Sequence, residues 1–263
     1  MIGLCGSDFS RDLRDVIENK DTFGAAANAY RAFRPTYPDA LYAYLASLCP
    51  QHRWALDCAT GNGQVAVDLA RYFDGVVAFD SSPAQIAAAV PHARVDYRVG
   101  TAESLSLPES RFNLATVAQA AHWFDLAKFY ARVRPVMVAG GVVAIWGYSY
   151  CRIDAEIDRV VAERLLPLIE PYWAQGNRII LERYRTIEFP FVEVEWPGFT
   201  ATHVWTRETF LNYMRTWSSY RRYVAEEGIE PMPALDRGLA ELWPDAEAKP
   251  VIFDLVGRVG RVA

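Results

Sequence analysis

With 263 residues and a hydrophobic fraction of 52%, the chain buries a full core without staples; its formal charge of −5, with no basic block longer than Arg221-Arg222, excludes chain-wide affinity for nucleic acid or an anionic membrane. Cys5, Cys49, Cys58 and Cys151 show no CxxC spacing and no clustering with histidine, which argues against a disulfide framework or a metal site and makes reduced thiols in the cytoplasm the expectation. The apolar run before Asp8 is too short for a signal peptide or a spanning helix.

Residues 1 to about 24 are polar and mixed in charge and read as an exposed arm. The next stretch, Tyr30-Arg-Ala-Phe-Arg-Pro-Thr-Tyr-Pro38, is too rigid and too apolar for an idle linker, so residues 1–38 are expected to form an arm or lid. Asp39 is the expected N-cap of a helix over 40–48. Strand patterns follow at 54–58, 75–80, 95–99, 112–118 and 141–148, alternating with helices at 64–72, 83–89 and 125–133 and a short turn at 105–110. After Tyr150 the rhythm breaks: a helix from Ile153 to Leu166 leads into a stretch punctuated by Pro167, Pro171, Pro190 and Pro197, with the texture of an inserted cap. A strand from Phe199 to Trp205, a helix over 207–217 capped by Thr206, a helix over 234–243 and a strand from Val251 to Val259 complete the chain. The expected architecture is one α/β domain over 1–263. It has a doubly wound, mostly parallel, seven-stranded Rossmann-like sheet, a core at about 39–150 and 199–263, and a cap insertion after the fifth strand at about 151–198.

In such a sheet a ligand sits beyond the carboxyl ends of the strands. Those ends bring together Asp57 to Gly63, Asp80 and Ser81, Gly100 to Glu103, Gln119 to Phe124, and Tyr148 to Tyr150. Asp57-Cys-Ala-Thr-Gly-Asn-Gly63 is a strand end, a tight turn and a helix start, and its free N–H groups and bare backbone suit a polar ligand. Asp80, 17 positions after Gly63, is placed to accept hydrogen bonds from ribose hydroxyls. Two ligand classes fit, a nicotinamide or flavin dinucleotide and S-adenosylmethionine. The sequence leans to the second, because neither a Tyr-x-x-x-Lys pair nor a His-Asp pair stands out as a proton donor.

The chain resembles the class I S-adenosylmethionine-dependent methyltransferases, within a small-molecule subgroup that includes the trans-aconitate methyltransferases. The resemblance is carried by the segment Tyr30 to Pro38, Asp57 to Gly63, Asp80, Gly100-Thr-Ala-Glu103, Ala121-His-Trp-Phe-Asp125, Arg215-Thr-Trp-Ser218 and Val256-Gly-Arg-Val-Gly260. It implies that Asp57, Thr60, Gly61, Asn62 and Gly63 hold the methionine part of the cofactor, that Asp80, beside Ser81, takes the ribose, and that Ala102 and Glu103 flank the adenine. Gln119 would face the sulfonium side. Ala59 stands where the family usually has glycine.

Methyl transfer needs alignment and exclusion of water but no metal, and it needs a general base only if the acceptor arrives protonated. His122 is the candidate base; its alternative role is a hydrogen-bonded residue that shapes the loop. Tyr30 and Trp123 would lay ring faces against the sulfonium, or simply pack. Arg34 would pair with the cofactor carboxylate or with an acidic substrate. Trp123, Trp146, Tyr148, Trp173 and Trp217 are the expected acceptor pocket. The expected function is therefore methyl transfer to an oxygen, less readily a nitrogen, of a small molecule such as a carboxylate, by a monomer or weak homodimer. The alternatives are an NAD(P)-dependent oxidoreductase and a non-catalytic module that binds S-adenosylmethionine.

Overall fold

The computed structural model describes residues 34–104 and 106–263, so Tyr30 and most of the expected arm lie outside the described residues. Five parallel strands form the centre of the sheet: β1 (Trp54–Cys58), β2 (Gly75–Asp80), β3 (Val95–Val99), β4 (Phe112–Ala118) and β5 (Met137–Tyr148). Their spatial order is β3-β2-β1-β4-β5, so the chain winds outward from β1 and then restarts on its other side at β4. That reversal opens a crevice at the carboxyl ends of β1 and β4.

Four helices serve this half: α1 (Asp39–Leu48), α2 (Gln64–Leu69), α3 (Pro83–Ala87) and α4 (Leu126–Val136). Asp39 is not the cap of α1. Pro38 holds the N-cap position with extended backbone and no side-chain acceptor, the helix starts one residue early, and the Asp39 carboxylate instead meets Arg71 at 2.7 Å and the Tyr72 hydroxyl at 2.9 Å. Asp125, expected inside α4, caps it by accepting from the Lys128 N–H at 3.1 Å. The helix then runs past its expected end, through Pro135, and turns directly into β5. β5 starts before its expected residue 141, because the register with β4 jumps around Gly140, which takes φ +69. A bulge of this kind needs a left-handed residue, and glycine supplies it without steric cost.

The second half holds α5 (Ala155–Arg164), α6 (Leu166–Ile169), α7 (Arg178–Leu181), β6 (Val192–Val194), β7 (Phe199–Thr206), α8 (Arg207–Arg215), α9 (Ser218–Glu227), α10 (Met232–Leu239) and β8 (Ala248–Arg261). β8 runs antiparallel along β5, and its outer edge forks, with β7 on Ala248–Leu255 and β6 on Val259–Arg261. Trp196 fills the fork, donating its indole N–H to the Leu255 carbonyl at 3.3 Å and lying over Gly257, where a Cβ would fall 2.8 Å from the ring. The short β6 brings the sheet to eight strands rather than seven, and α9 is a helix that the periodicity does not predict.

Side chains alternate across β5. Val142, Ala144, Trp146 and Tyr148 join one apolar layer with Leu41, Leu45, Phe73 and Phe253, while Val143 and Ile145 join the other with Leu56, Phe79 and Phe129. Among the described residues no helix is long and apolar enough to cross a membrane.

Candidate active site

The site is built outward from the end of β1. Asp57 is 1% exposed, accepting from the Thr60 hydroxyl at 2.5 Å and from the Thr116 hydroxyl of β4 at 2.8 Å. Burial pushes its carboxyl up to about 6; the hydroxyl bonds from Thr60 and Thr116 oppose the rise, and the charge of Asp80 adds to it. The turn that follows holds three residues in left-handed backbone, Ala59 at φ 56, Gly61 at φ 57 and Gly63 at φ 86. A Cβ on Gly63 would lie 2.2 Å from the Tyr97 hydroxyl oxygen, so only glycine lets α2 start this close to β3. Asp80 braces the turn from β2, its two oxygens accepting from the N–H groups of Gly61 and Ser82, each at 2.9 Å.

Three connected clefts surround this turn. An outer slot is lined by Asp80, Ser81, Ala102 and Glu103, with Phe79, Trp123 and Phe124 as apolar walls. Glu103 also accepts from the Asp125 N–H at 3.1 Å, tying its turn to the start of α4. A turn cleft is lined by Arg34, Tyr37, Asp57, Thr60, Gly61 and Asn62. Arg34, Pro35 and Tyr37, at the start of the described residues, form one wall of this cleft. An aromatic chamber opens on the far side, with Tyr148, Tyr150, Trp173, Tyr213 and Trp217 among its walls. Gln119 lines all three spaces and marks their junction.

Within the chamber, the Trp173 indole donates to the Tyr150 hydroxyl at 3.2 Å, and the Trp173 and Trp217 rings lie 6.0 Å apart. Arg34 enters from the lid side, donating to the Tyr148 hydroxyl at 3.5 Å and the Thr216 carbonyl at 3.3 Å, with its guanidinium 5.8 Å from the centre of the Tyr213 ring. His122 packs on Trp123 with ring centres 4.7 Å apart. Burial first, and then the Arg34 charge, pull the imidazole down to about 3, so it is neutral at any ordinary pH.

Two expected residues stand elsewhere. Trp146 is fully buried, with Tyr37 edge-on at 5.5 Å; it belongs to the core and does not line the chamber. Gly63 sits behind the cleft lining and acts through backbone shape. Three residues that the sequence reading omits contribute directly. Thr116, fully buried in β4, holds Asp57, and its signal is the one hydroxyl of a strand whose only other polar residue is Asn113. Tyr213, which the stripe of α8 suggests is core, also faces the chamber. Asn177 lines the chamber from the cap and carries no sequence signal beyond preceding a short helix.

Residues 56–145 match the model of a methyltransferase domain. A Dictyostelium discoideum protein named as a methyltransferase is 31% identical over 239 residues, spanning 89% of this chain and 91% of its own length. The solved structure of an Anaeromyxobacter dehalogenans protein named as a type II methyltransferase superposes with a TM-score of 0.82 at 36% identity, covering 88% of this chain and 98% of that one. The chain belongs to the class I S-adenosylmethionine-dependent methyltransferases. An Aspergillus candidus methyltransferase is a more distant relative, 27% identical over 190 residues, which is 62% of this chain and 59% of that protein.

The dinucleotide alternative gives way to this membership. The donor set of this methyltransferase also fits S-adenosylmethionine on its own chemistry. Asp57 is a buried carboxylate with no cationic partner among the described residues, which suits an ammonium group. Asp80 lines the outer slot as a carboxylate, the acceptor chemistry that suits ribose hydroxyls. The slot between Phe79, Trp123 and Phe124 suits a flat base.

Proposed function

We propose that this methyltransferase moves a methyl group from S-adenosylmethionine to a carboxylate oxygen of a small acid. When bound, the cofactor would supply a methyl group made electrophilic by its sulfonium, and the residues of this chain would hold it and the acceptor oxygen. In this reading Asp57 receives the ammonium group, with Thr60, Gly61, Asn62 and Gly63 shaping the turn around it. Asp80 and Ser81 meet the ribose, Ala102 and Glu103 flank the adenine, and Gln119 separates the donor side from the acceptor side. The partner is a small molecule rather than a nucleic acid or a membrane.

The observation that carries the carboxylate is the position of Arg34. It lines both the turn cleft and the aromatic chamber, and of the groups around its guanidinium Tyr213 and His122 line the chamber alone while Tyr148 lines both spaces. A planar cation there matches two carboxylate oxygens and turns one of them toward the junction at Gln119. His122 points the same way. An imidazole pulled to about 3 is too weak a base to deprotonate a phenol or an ammonium group, whereas a carboxylate arrives ionised. The aromatic walls exclude water and fix the acceptor plane, and alignment of this kind is worth roughly 7–11 kcal/mol.

A screen for methyl transfer over small carboxylates, phenols and amines, read by homocysteine release from the product, tests the proposal. Turnover of carboxylates to methyl esters is expected. Turnover confined to amines or phenols contradicts it.

A further inference from the structure

Two residues of the aromatic chamber's lining carry buried polar atoms that nothing among the described residues satisfies. The Nδ1 atom of His122 and the Nδ2 atom of Asn177 are both buried without a hydrogen-bond partner among the described residues, and both residues line the chamber. Asn177 as a whole is only 8% exposed. Leaving such groups unpaired is costly, so a chamber that keeps two of them in its lining is organised for something that pairs with them.

The chain brings them together by design of the backbone. The turn Gln175–Asn177 of the cap rests on the turn Ala121–Trp123, and a Cβ on Gly176 would lie 2.2 Å from the His122 carbonyl oxygen. Only glycine at 176 permits that contact. Asn177 then stands at the N-cap position of α7, where an asparagine normally turns its side chain back to the helix N–H groups. It does not do so: its backbone is already helical at φ −64 and ψ −21, and no side-chain cap bond forms. The carboxamide is left for the chamber.

We infer that Asn177 and His122 form a hydroxyl-binding subsite, so that the acceptor is a planar hydroxy acid whose hydroxyl donates to His122 Nδ1 and accepts from Asn177 Nδ2. A hydroxyl is the one small neutral group that gives a proton to an imidazole nitrogen and takes one from an amide through the same oxygen. The imidazole is uncharged at ordinary pH, so an anion gains nothing there over a neutral group. Arg34 lines both the turn cleft and the chamber, whereas Asn177 and His122 line the chamber alone, so the carboxylate sits at the junction and the hydroxyl sits away from it. The inference rests on the carboxylate reading above for the position of the acid group. It stands independently of that reading for the hydroxyl.

The test compares benzoate with its monohydroxy isomers as acceptors and, in parallel, measures calorimetric binding of neutral phenols against their methyl ethers to protein saturated with S-adenosylhomocysteine. Wild type is expected to favour one hydroxylated isomer by at least about tenfold in kcat/KM, and Asn177→Ala to bring that ratio to about one. The melting temperature and S-adenosylhomocysteine affinity of Asn177→Ala report that it is folded. Should it fail to fold, wild-type protein labelled with 15N-histidine serves instead: the hydroxylated ligand moves the Nδ1 resonance of His122 and its hydroxyl-free partner does not, the assignment coming from His122→Gln. Hydroxyl-dependent binding of phenols that Asn177→Ala removes, with no acid bound by either protein, upholds this subsite and overturns the carboxylate reading. A hydroxyl preference absent from wild type, or equal in the two proteins, overturns the subsite and assigns the two atoms to water.

Discussion

The side-chain amide of Gln119 and the main chain of Tyr148 hold each other at both ends: Gln119 Nε2 donates to the Tyr148 carbonyl at 3.0 Å, and Gln119 Oε1 accepts from the Tyr148 N–H at 3.1 Å. This clamp joins the carboxyl ends of β4 and β5 where the three clefts meet, and Gln119 adopts φ 52 to make it. Gly147 leaves room for it, since a Cβ there would fall 2.1 Å from Gln119 Oε1.

Gln119→Leu, which keeps bulk and removes both bonds, is therefore expected to cost about 1–3 kcal/mol of stability. Gly147→Ala is expected to act through the same contact by pushing the amide away. Thermal unfolding checks the first effect, and acceptor kcat/KM checks the second: both variants should lose at least about tenfold, because the junction no longer holds donor and acceptor in line. A fall in melting temperature with kcat/KM intact would show that the clamp only stabilises.

Ala59 carries strain. Its φ of 56 is a conformation that a side chain makes costly, by roughly 1–2 kcal/mol, and the same residue lines both the outer slot and the turn cleft. Part of the relief from Ala59→Gly is offset by the extra freedom of glycine in the unfolded chain. The expected net result is a rise in melting temperature of about 2–4 °C, whereas Ala59→Val lowers it. Differential scanning calorimetry distinguishes the two.

Asp57 links pH to both stability and binding. Its folded value of about 6 lies above the ordinary carboxylate value of 3.8, so the protonated form favours the fold below about pH 4, and that contribution is lost as pH rises through about 6. Cofactor-free protein is thus expected to melt lower at about pH 8 than at about pH 5 through this group. Asp57→Asn, which imitates the protonated acid, should raise the melting temperature at about pH 8. If Asp57 receives the ammonium group as proposed, the same substitution lowers S-adenosylhomocysteine affinity in calorimetry by about tenfold or more. In the wild type that affinity should weaken as pH drops below about 6.

Trp146 and Trp217 are expected to separate core from chamber. Trp146→Ala empties a fully buried site and should cost about 3–5 kcal/mol without altering preference among acceptors that remain soluble substrates. Trp217→Ala removes a chamber wall and should raise acceptor KM more than it lowers the melting temperature. Chemical unfolding and KM measured on the same preparations check both.

The strand-end residues were legible because the fold leaves them little freedom. Asp57, Asp80 and Gln119 each end an apolar run, and a short connection in a parallel sheet delivers each to one edge. Trp146 is different. It shares a face with Tyr148, but it lies one pleat deeper, where Tyr37 covers it, and depth along a strand is not written in alternation. Helix α9 hides for a related reason: it buries Ser218, Ser219, Tyr220 and Tyr223, two small polar residues and two tyrosines, and so shows no apolar stripe. The Asn177–His122 pair depends on a close backbone approach at Gly176 between segments far apart in sequence, and no local pattern records such a contact.

The most direct test of the central claim compares Arg34→Gln with wild type on the acid that the acceptor screen identifies, measuring acceptor kcat/KM and the dissociation constant of S-adenosylhomocysteine together. If Arg34 holds the acceptor carboxylate, kcat/KM falls by about a hundredfold or more while the dissociation constant moves by less than about threefold. A collapse of cofactor affinity with acceptor KM unchanged would instead place Arg34 on the cofactor and contradict the account.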